Sequence, residues 1–233
     1  MQVWLLEGLA DAEPGFQVWA LDHLGLASWA ETRSQVLQRM PAKYEEYRTW
    51  LDHHRLGDPG PDSGVEVAEE IRGDEVLFTP DRLPATVSEI ERTLRLLGAS
   101  RSDLVDILQR VPVAVHDWDP PYRRFLSWGR WRTVRQVVAH LANTETHYYL
   151  TAIGFQPPLE PVSPVAEWES FLDARRAQVI EFLDDLKRSS DLIRVDPAGA
   201  WSVRKVLRRM IWHERLHTKS IRRILDEHTG RFG

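Results

Sequence analysis

The chain contains no cysteine. That absence excludes a disulfide framework, a thiolate metal site and a cysteine nucleophile together, so any bound metal must be held by His, Asp or Glu. No stretch approaches the roughly 18 consecutive apolar residues of a membrane span. The N-terminus MQVWLLEGLADAEPGF lacks the basic start and long apolar core of a secretory signal. The expectation is a cytoplasmic protein. A phosphate-binding glycine loop and a G-x-S-x-G elbow are also missing, which removes the commonest nucleotide-binding and serine-hydrolase signatures.

What the chain does contain is a full complement of core-forming residues. Across 233 residues, 42% are hydrophobic and 28% charged, the composition of a soluble globular protein able to bury a core. Charge is uneven. Residues 1–80 hold six Lys+Arg against fifteen Asp+Glu, a net of -9, while the whole chain carries only -5. Two units with different surfaces fit this split, and the turn-rich RLGDPGPDSG and FTPDRLP offer loops on which to divide them. The division expected is 1–78 and 79–233.

In the first unit, QVWLLE and GFQVWAL read as short strands joined by turn chemistry at DAEPG. A helix opened by Ser28 or Thr32 follows, with Val36, Met40, Tyr44, Tyr47 and Leu51 at helical spacing through Pro41. VEVAEEI then suggests another strand, at an edge. The order PGFQVWALDHLG, ASWAETRSQVLQRM, YEEYRTWL resembles the HicB-like antitoxin family, although its proline-bearing corner is here Leu21-Asp22-His23-Leu24-Gly25 and Ala30 stands where a glycine is expected. The resemblance covers about residues 1–75. It implies a partial ribonuclease-H-like α+β fold that binds a protein or dimerises, with no catalytic residue carried over.

The second unit reads as four helices, 86–111, 133–153, 164–190 and 202–228, opened by Thr86, Thr133, Pro164 and Ser202. That is a four-helix bundle. Gly98 is a possible break in the first of them. On the last helix, Val203, Val206, Leu207, Met210, Ile221, Ile224 and Leu225 form an apolar stripe, with His217 inside it and His213 on its flank. Imidazoles four residues apart can converge on one divalent ion. On the second helix, Val134, Val137, Val138, Leu141 and Tyr148 define the inward stripe, His140 sits at its edge and Glu145 falls within it. An inward histidine is also commonly a hydrogen-bonded core residue, so spacing alone leaves both readings open. Arg204, Lys205, Arg208, Arg209, Arg215, Lys219, Arg222 and Arg223 are expected on the outer side of the last helix, as a solvated face or a dock for the acidic first unit.

The pair TVRQVVAHL and WHERLHTKSI resembles the DinB/YfiT-like superfamily over about residues 85–228. That resemblance implies a divalent metal held by one histidine of the second helix and an H-x-x-x-H pair of the fourth, which map onto His140, His213 and His217, with His147 as the rival for the first. Zinc or nickel is the expected ion. A metal-dependent transferase or hydrolase acting on a small molecule, thiol-dependent chemistry included, is the leading function. Glu145 is the candidate catalytic residue, as a general base or as an orienter of a ligand histidine; a surface acid in a shifted register is the alternative, and Glu214 invites the same two readings. The competing function is a regulatory or antitoxin-like interaction protein, or a homo-oligomer, with a structural or vestigial metal site; membrane and nucleic-acid partners are not expected.

Overall fold

The computed structural model describes residues 1–8, 14–61, 64–74, 76–121, 131–157, 168–188 and 200–232. Three short strands come first: β1 (Gln2–Glu7), β2 (Phe16–Trp19) and β3 (Ala27–Ala30). Helix α1 (Arg33–His53) crosses back, and β4 (Glu66–Arg72) returns beside β1. The sheet order is β3-β2-β1-β4, with β1 and β4 parallel and the other pairs antiparallel. Thr32 caps α1 by accepting from the Gln35 N–H, and Ser28 lies in β3 instead. Val36, Met40, Tyr44, Tyr47 and Leu51 are all buried, and α1 continues through Pro41.

Alternation along the strands sends Val3, Leu5 and Val18 into one apolar cluster with the buried face of α1. Trp4, Leu6 and Trp19 point the other way, where Phe78 and Trp212 cover them. Both faces of this small sheet are therefore occupied.

Four more helices follow: α2 (Val87–Leu108), α3 (Val134–Thr144), α4 (Trp168–Arg188) and α5 (Val203–Phe232). Thr86 and Thr133 form reciprocal capping boxes with Glu89 and Gln136, which satisfy two otherwise orphaned donors at each helix start. Ser202 accepts from the Lys205 N–H. The cap expected at Pro164 lies outside the described residues. Gly98 does not break α2, which is packed on both sides of it through Leu96, Leu97, Arg101 and Leu104. Around the bundle, α5 touches α2 and α3, and both of those touch α4. No helix among the described residues is long and apolar enough to cross a membrane.

The stretch expected as one helix over 133–153 departs from that form at its centre. After Thr144 the chain makes a π-helical turn, Glu145–Tyr149, closed by the Leu150 N–H donating to the Glu145 carbonyl at 3.1 Å, then a 3-10 turn, Thr151–Ile153. A π turn holds one extra residue, so everything after it rotates by about 100° relative to an uninterrupted helix. Tyr149 consequently faces inward, 3% exposed, and Tyr148, expected in the apolar stripe, is 48% exposed.

The basic residues of α5 correct an expectation in part: Lys219, Arg222 and Arg223 are exposed as expected, and five others are not. Lys205, Arg208 and Arg209 are buried, and Arg204 and Arg215 half-buried, rather than on an outer face. They dock the N-terminal layer, chiefly through aromatic rings. Arg208 lies over Trp19 at 4.4 Å and Arg215 over Trp50 at 4.3 Å, while Arg209 is shared between Trp19, Trp201 and Trp212. Arg208 is also paired with buried Asp81 at 2.6 Å, and Lys219 with Glu46. At the same seam Gly25, at φ +82°, lies so close to α5 that a Cβ would stand 2.3 Å from Ile211 Cγ2. One apolar cluster contains residues from both sides of residue 78, Val3 and Tyr47 together with Leu96, Met210 and Ile211.

Candidate metal centre

Helix α5 presents His213 and His217 one turn apart, and α3 brings His140 across to them. One ligand nitrogen from each of the three lies within 4.8 Å of the other two. Nε2 of His140 and Nε2 of His213 are 3.0 Å apart. For metal–nitrogen bonds of about 2.0–2.1 Å, two imidazole nitrogens on one ion stand about 3–3.5 Å apart, so this pair has nearly that spacing. His147 is not in the group. The π turn carries it away from the α3 register, and its Nδ1 meets Thr146 Oγ1 at 2.8 Å.

All three rings are held neutral. Burial pushes His140 down to about 4 and His217 to about 3. His213 falls well below the ordinary histidine value through burial, helped by its histidine neighbours and Arg209. A neutral imidazole is the form that ligates a metal. Thr144 Oγ1 meets His140 Nδ1 at 3.2 Å, which leaves Nε2 turned toward the cluster. Nδ1 of His213 and of His217 are buried without a hydrogen-bond partner. Trp131 roofs the group: its indole stacks on His140 with ring centroids 3.6 Å apart and planes 5° from parallel, and its edge addresses His217 at 6.1 Å.

The donor set fits a divalent ion. Three nitrogen ligands with no carboxylate or thiolate among them suit zinc or nickel better than magnesium or calcium, which prefer oxygen. A second grouping of ligand type, His53, His54 and Asp103, is more exposed. Its Asp103 is already engaged by the Trp50 indole at 2.7 Å and by His54 at 3.0 Å.

Glu145 is brought to the bundle centre, fully buried, and so is Glu214. Neither is a surface acid. Arg176 from α4 donates to Glu145 at 2.8 Å and to Glu214 at 2.9 Å; Arg101 from α2 donates to Glu214 at 2.6 Å and approaches Glu145 at 3.5 Å. The guanidiniums also donate to the carbonyls of Leu172 and Leu97. The hydrogen bonds of the Glu145 carboxylate run to these two arginines and to none of the three histidines. Two acids and two bases thus close a neutral quartet that ties α2, the π turn, α4 and α5. Burial and the neighbouring Glu214 push Glu145 up, while the two arginines outweigh burial at Glu214 and hold it down.

Arg101 and Arg176 were not singled out from sequence, where each reads as one more helix-surface base. The available signal was positional: both fall on the apolar stripes of their helices, among Leu97, Leu104, Leu172 and Val179.

A family model described as the DinB superfamily matches residues 96–221. No curated protein and no solved structure matches the chain significantly.

Proposed function

Because the chain belongs to the DinB superfamily, we propose that His140, His213 and His217 hold one divalent ion, zinc or nickel, and that the protein is a metal-dependent transferase or hydrolase acting on a small molecule. The observation that carries this reading is the donor set itself: three neutral imidazoles converge, His213 and His217 buried and His140 half-buried, and among the described residues no fourth protein ligand joins them. A closed structural site takes four protein ligands, whereas three leave a position for an exchangeable one. When bound, the ion would polarise a carbonyl or lower the pKa of a coordinated water or thiol. The chain's own part is to present Nε2 of His140 through Thr144, to keep the imidazoles free of protons, and to exclude water from one side with Trp131. Glu145 and Glu214 serve in this reading as positioning residues, since they act through the helices they tie. The quartet fixes α5 against α2 and α4 at the residue next to His213.

A second reading is favoured by the low exposure of His213 and His217, 4% and 6%, beneath the Trp131 roof. Such a site suits a structural ion in an interaction protein whose HicB-like residues 1–75 bind a protein partner.

Elemental analysis tests the first claim: wild type should carry about one divalent ion per chain, and His217→Ala should lose it. Equal metal content in the two would overturn the assignment. A Co²⁺-substituted protein then separates the two readings. A spectrum shifted by a small thiol or a hydroxamate supports the enzyme, and a spectrum indifferent to both supports the structural ion.

A further inference from the structure

The seam between α1, α2 and α5 holds a groove of about 360 Å³, lined by Trp50, Ser100, Arg215, Thr218, Lys219 and Arg222 among others. That is near the lower end of the range, roughly 300–1,000 Å³, that small-molecule sites occupy. Two acids, Glu46 and Asp103, also border it and act on Arg215 from beyond salt-bridge distance; each has nearer partners of its own. Glu46 is paired with Lys219 and with Lys43; burial opposes its charge, but the two ammonium groups prevail and hold it at about 2. Asp103 accepts from the Trp50 indole and meets His54.

The guanidiniums are in the opposite condition. Neither Arg215 nor Arg222 has a carboxylate within salt-bridge distance among the described residues. Arg215 is held in place by stacking on Trp50 and Tyr47, and its one hydrogen bond is a 3.3 Å contact to the Gly25 carbonyl. Most of its five N–H donors are therefore left without a protein acceptor. Ser100 adds a further orphan: it is 1% exposed, and its hydroxyl has no hydrogen-bond partner. A half-buried guanidinium with no carboxylate in salt-bridge distance and most of its donors unused, beside an unsatisfied hydroxyl and a second guanidinium two turns along the same helix face, is complementary to an oxyanion, which accepts such donors in pairs.

We propose that this groove is a binding site for a small-molecule oxyanion, a phosphate monoester or a carboxylate, gripped by Arg215 and Arg222 and hydrogen-bonded by Ser100. The ligand would bridge α2 to α5 on a side of α5 that the histidines do not use. It does not depend on a metal at His140, His213 and His217.

Calorimetric titration of the full metal-loaded chain at low ionic strength, with inorganic phosphate in one arm and succinate in the other, tests it. The Trp50 indole N–H resonance, identified by its loss in Trp50→Phe, gives a local readout. Saturable binding of at least one anion is expected, with a shift of that resonance. Arg222→Met, an exposed position that should fold normally, should weaken binding about tenfold, the order of one charge-assisted contact, and Arg215→Met should abolish it. Saturation by phosphate alone assigns a phosphate ester, and saturation by succinate alone a carboxylate. His140→Ala should bind the anion as wild type does, so a failed metal assignment and a failed groove are told apart. Absence of saturation with both anions, or unchanged affinity in Arg222→Met and Arg215→Met alike, would overturn the proposal.

Discussion

Trp131 lies face to face with His140, 3.6 Å between ring centroids and 5° from parallel. The indole takes the place of water on that side of the imidazole, and burial is the cause of the low His140 pKa of about 4. A stacked neutral ring is a poor proton acceptor but an available metal ligand.

The proton balance of the metal-free protein follows from this. An unfolded histidine takes up its proton near 6.5, whereas folded His140 waits until about 4 and His217 until about 3. Between those values the unfolded chain binds more protons, so falling pH draws the equilibrium toward unfolding; the loss starts near 6.5, the part due to His140 and His217 stops growing below about 3, and His213, also held well below its ordinary value, adds to it in the same direction. Urea midpoints of chelator-treated protein should drop from pH 7 to pH 5, and drop less in His217→Asn. Trp131→Ala should raise the His140 pKa toward its ordinary value in an NMR titration. Parallel pH profiles for wild type and His217→Asn would contradict the account.

The buried quartet makes a prediction about stability. Glu145→Gln leaves Arg176 and Arg101 facing one carboxylate where there were two. Breaking a buried pair from one side typically costs about 3–5 kcal/mol. Thermal melts should show that loss, while elemental analysis of the folded variant shows its metal retained. A variant as stable as wild type but altered in ligand binding would instead make Glu145 a group that acts directly on bound ligand.

Gly25→Ala should loosen the seam between the N-terminal layer and α5. The position has a φ that L residues rarely adopt, and the added methyl would collide with Ile211. Overpacking of this kind costs about 1–3 kcal/mol. Ile211→Ala removes only the nearer contact, since its own Cβ would still stand 2.8 Å from the added methyl and the backbone strain remains; Gly25→Ala should therefore still lower the melting temperature when made in an Ile211→Ala background. No further loss in that background would show that neither the residual contact nor the backbone strain contributes.

Much of this architecture is legible in the chain because it is set locally. The caps at Thr32, Thr86 and Thr133 and the α1 spacing from Val36 to Leu51 follow from side-chain type and helical period; the same period pairs His213 with His217, while the joining of His140 to them was implied by the family resemblance. The π turn does not. Glu-Thr-His-Tyr-Tyr contains no glycine or proline to mark it; it coincides with the point where Glu145 meets arginines 44 and 31 residues away. Arg204, Lys205, Arg208, Arg209 and Arg215 of α5 were misplaced for a related reason. Whether an arginine faces water or an indole depends on what lies opposite, and here Trp19 and Trp50 come from the other end of the sequence. Sequence period gives the angle of a side chain about its helix and is silent on its neighbours.

Helix α5 supplies two of the three histidines, one acid of the quartet and the aromatic-clad arginines that receive the N-terminal layer. Its first three turns are buried almost all the way round. A rod clasped on every side transmits load, so the β-layer cannot be pulled away without disturbing the register of His213 and His217. Melting should then be a single event, in which strands near residue 4 and imidazoles near residue 213 lose their order at one temperature.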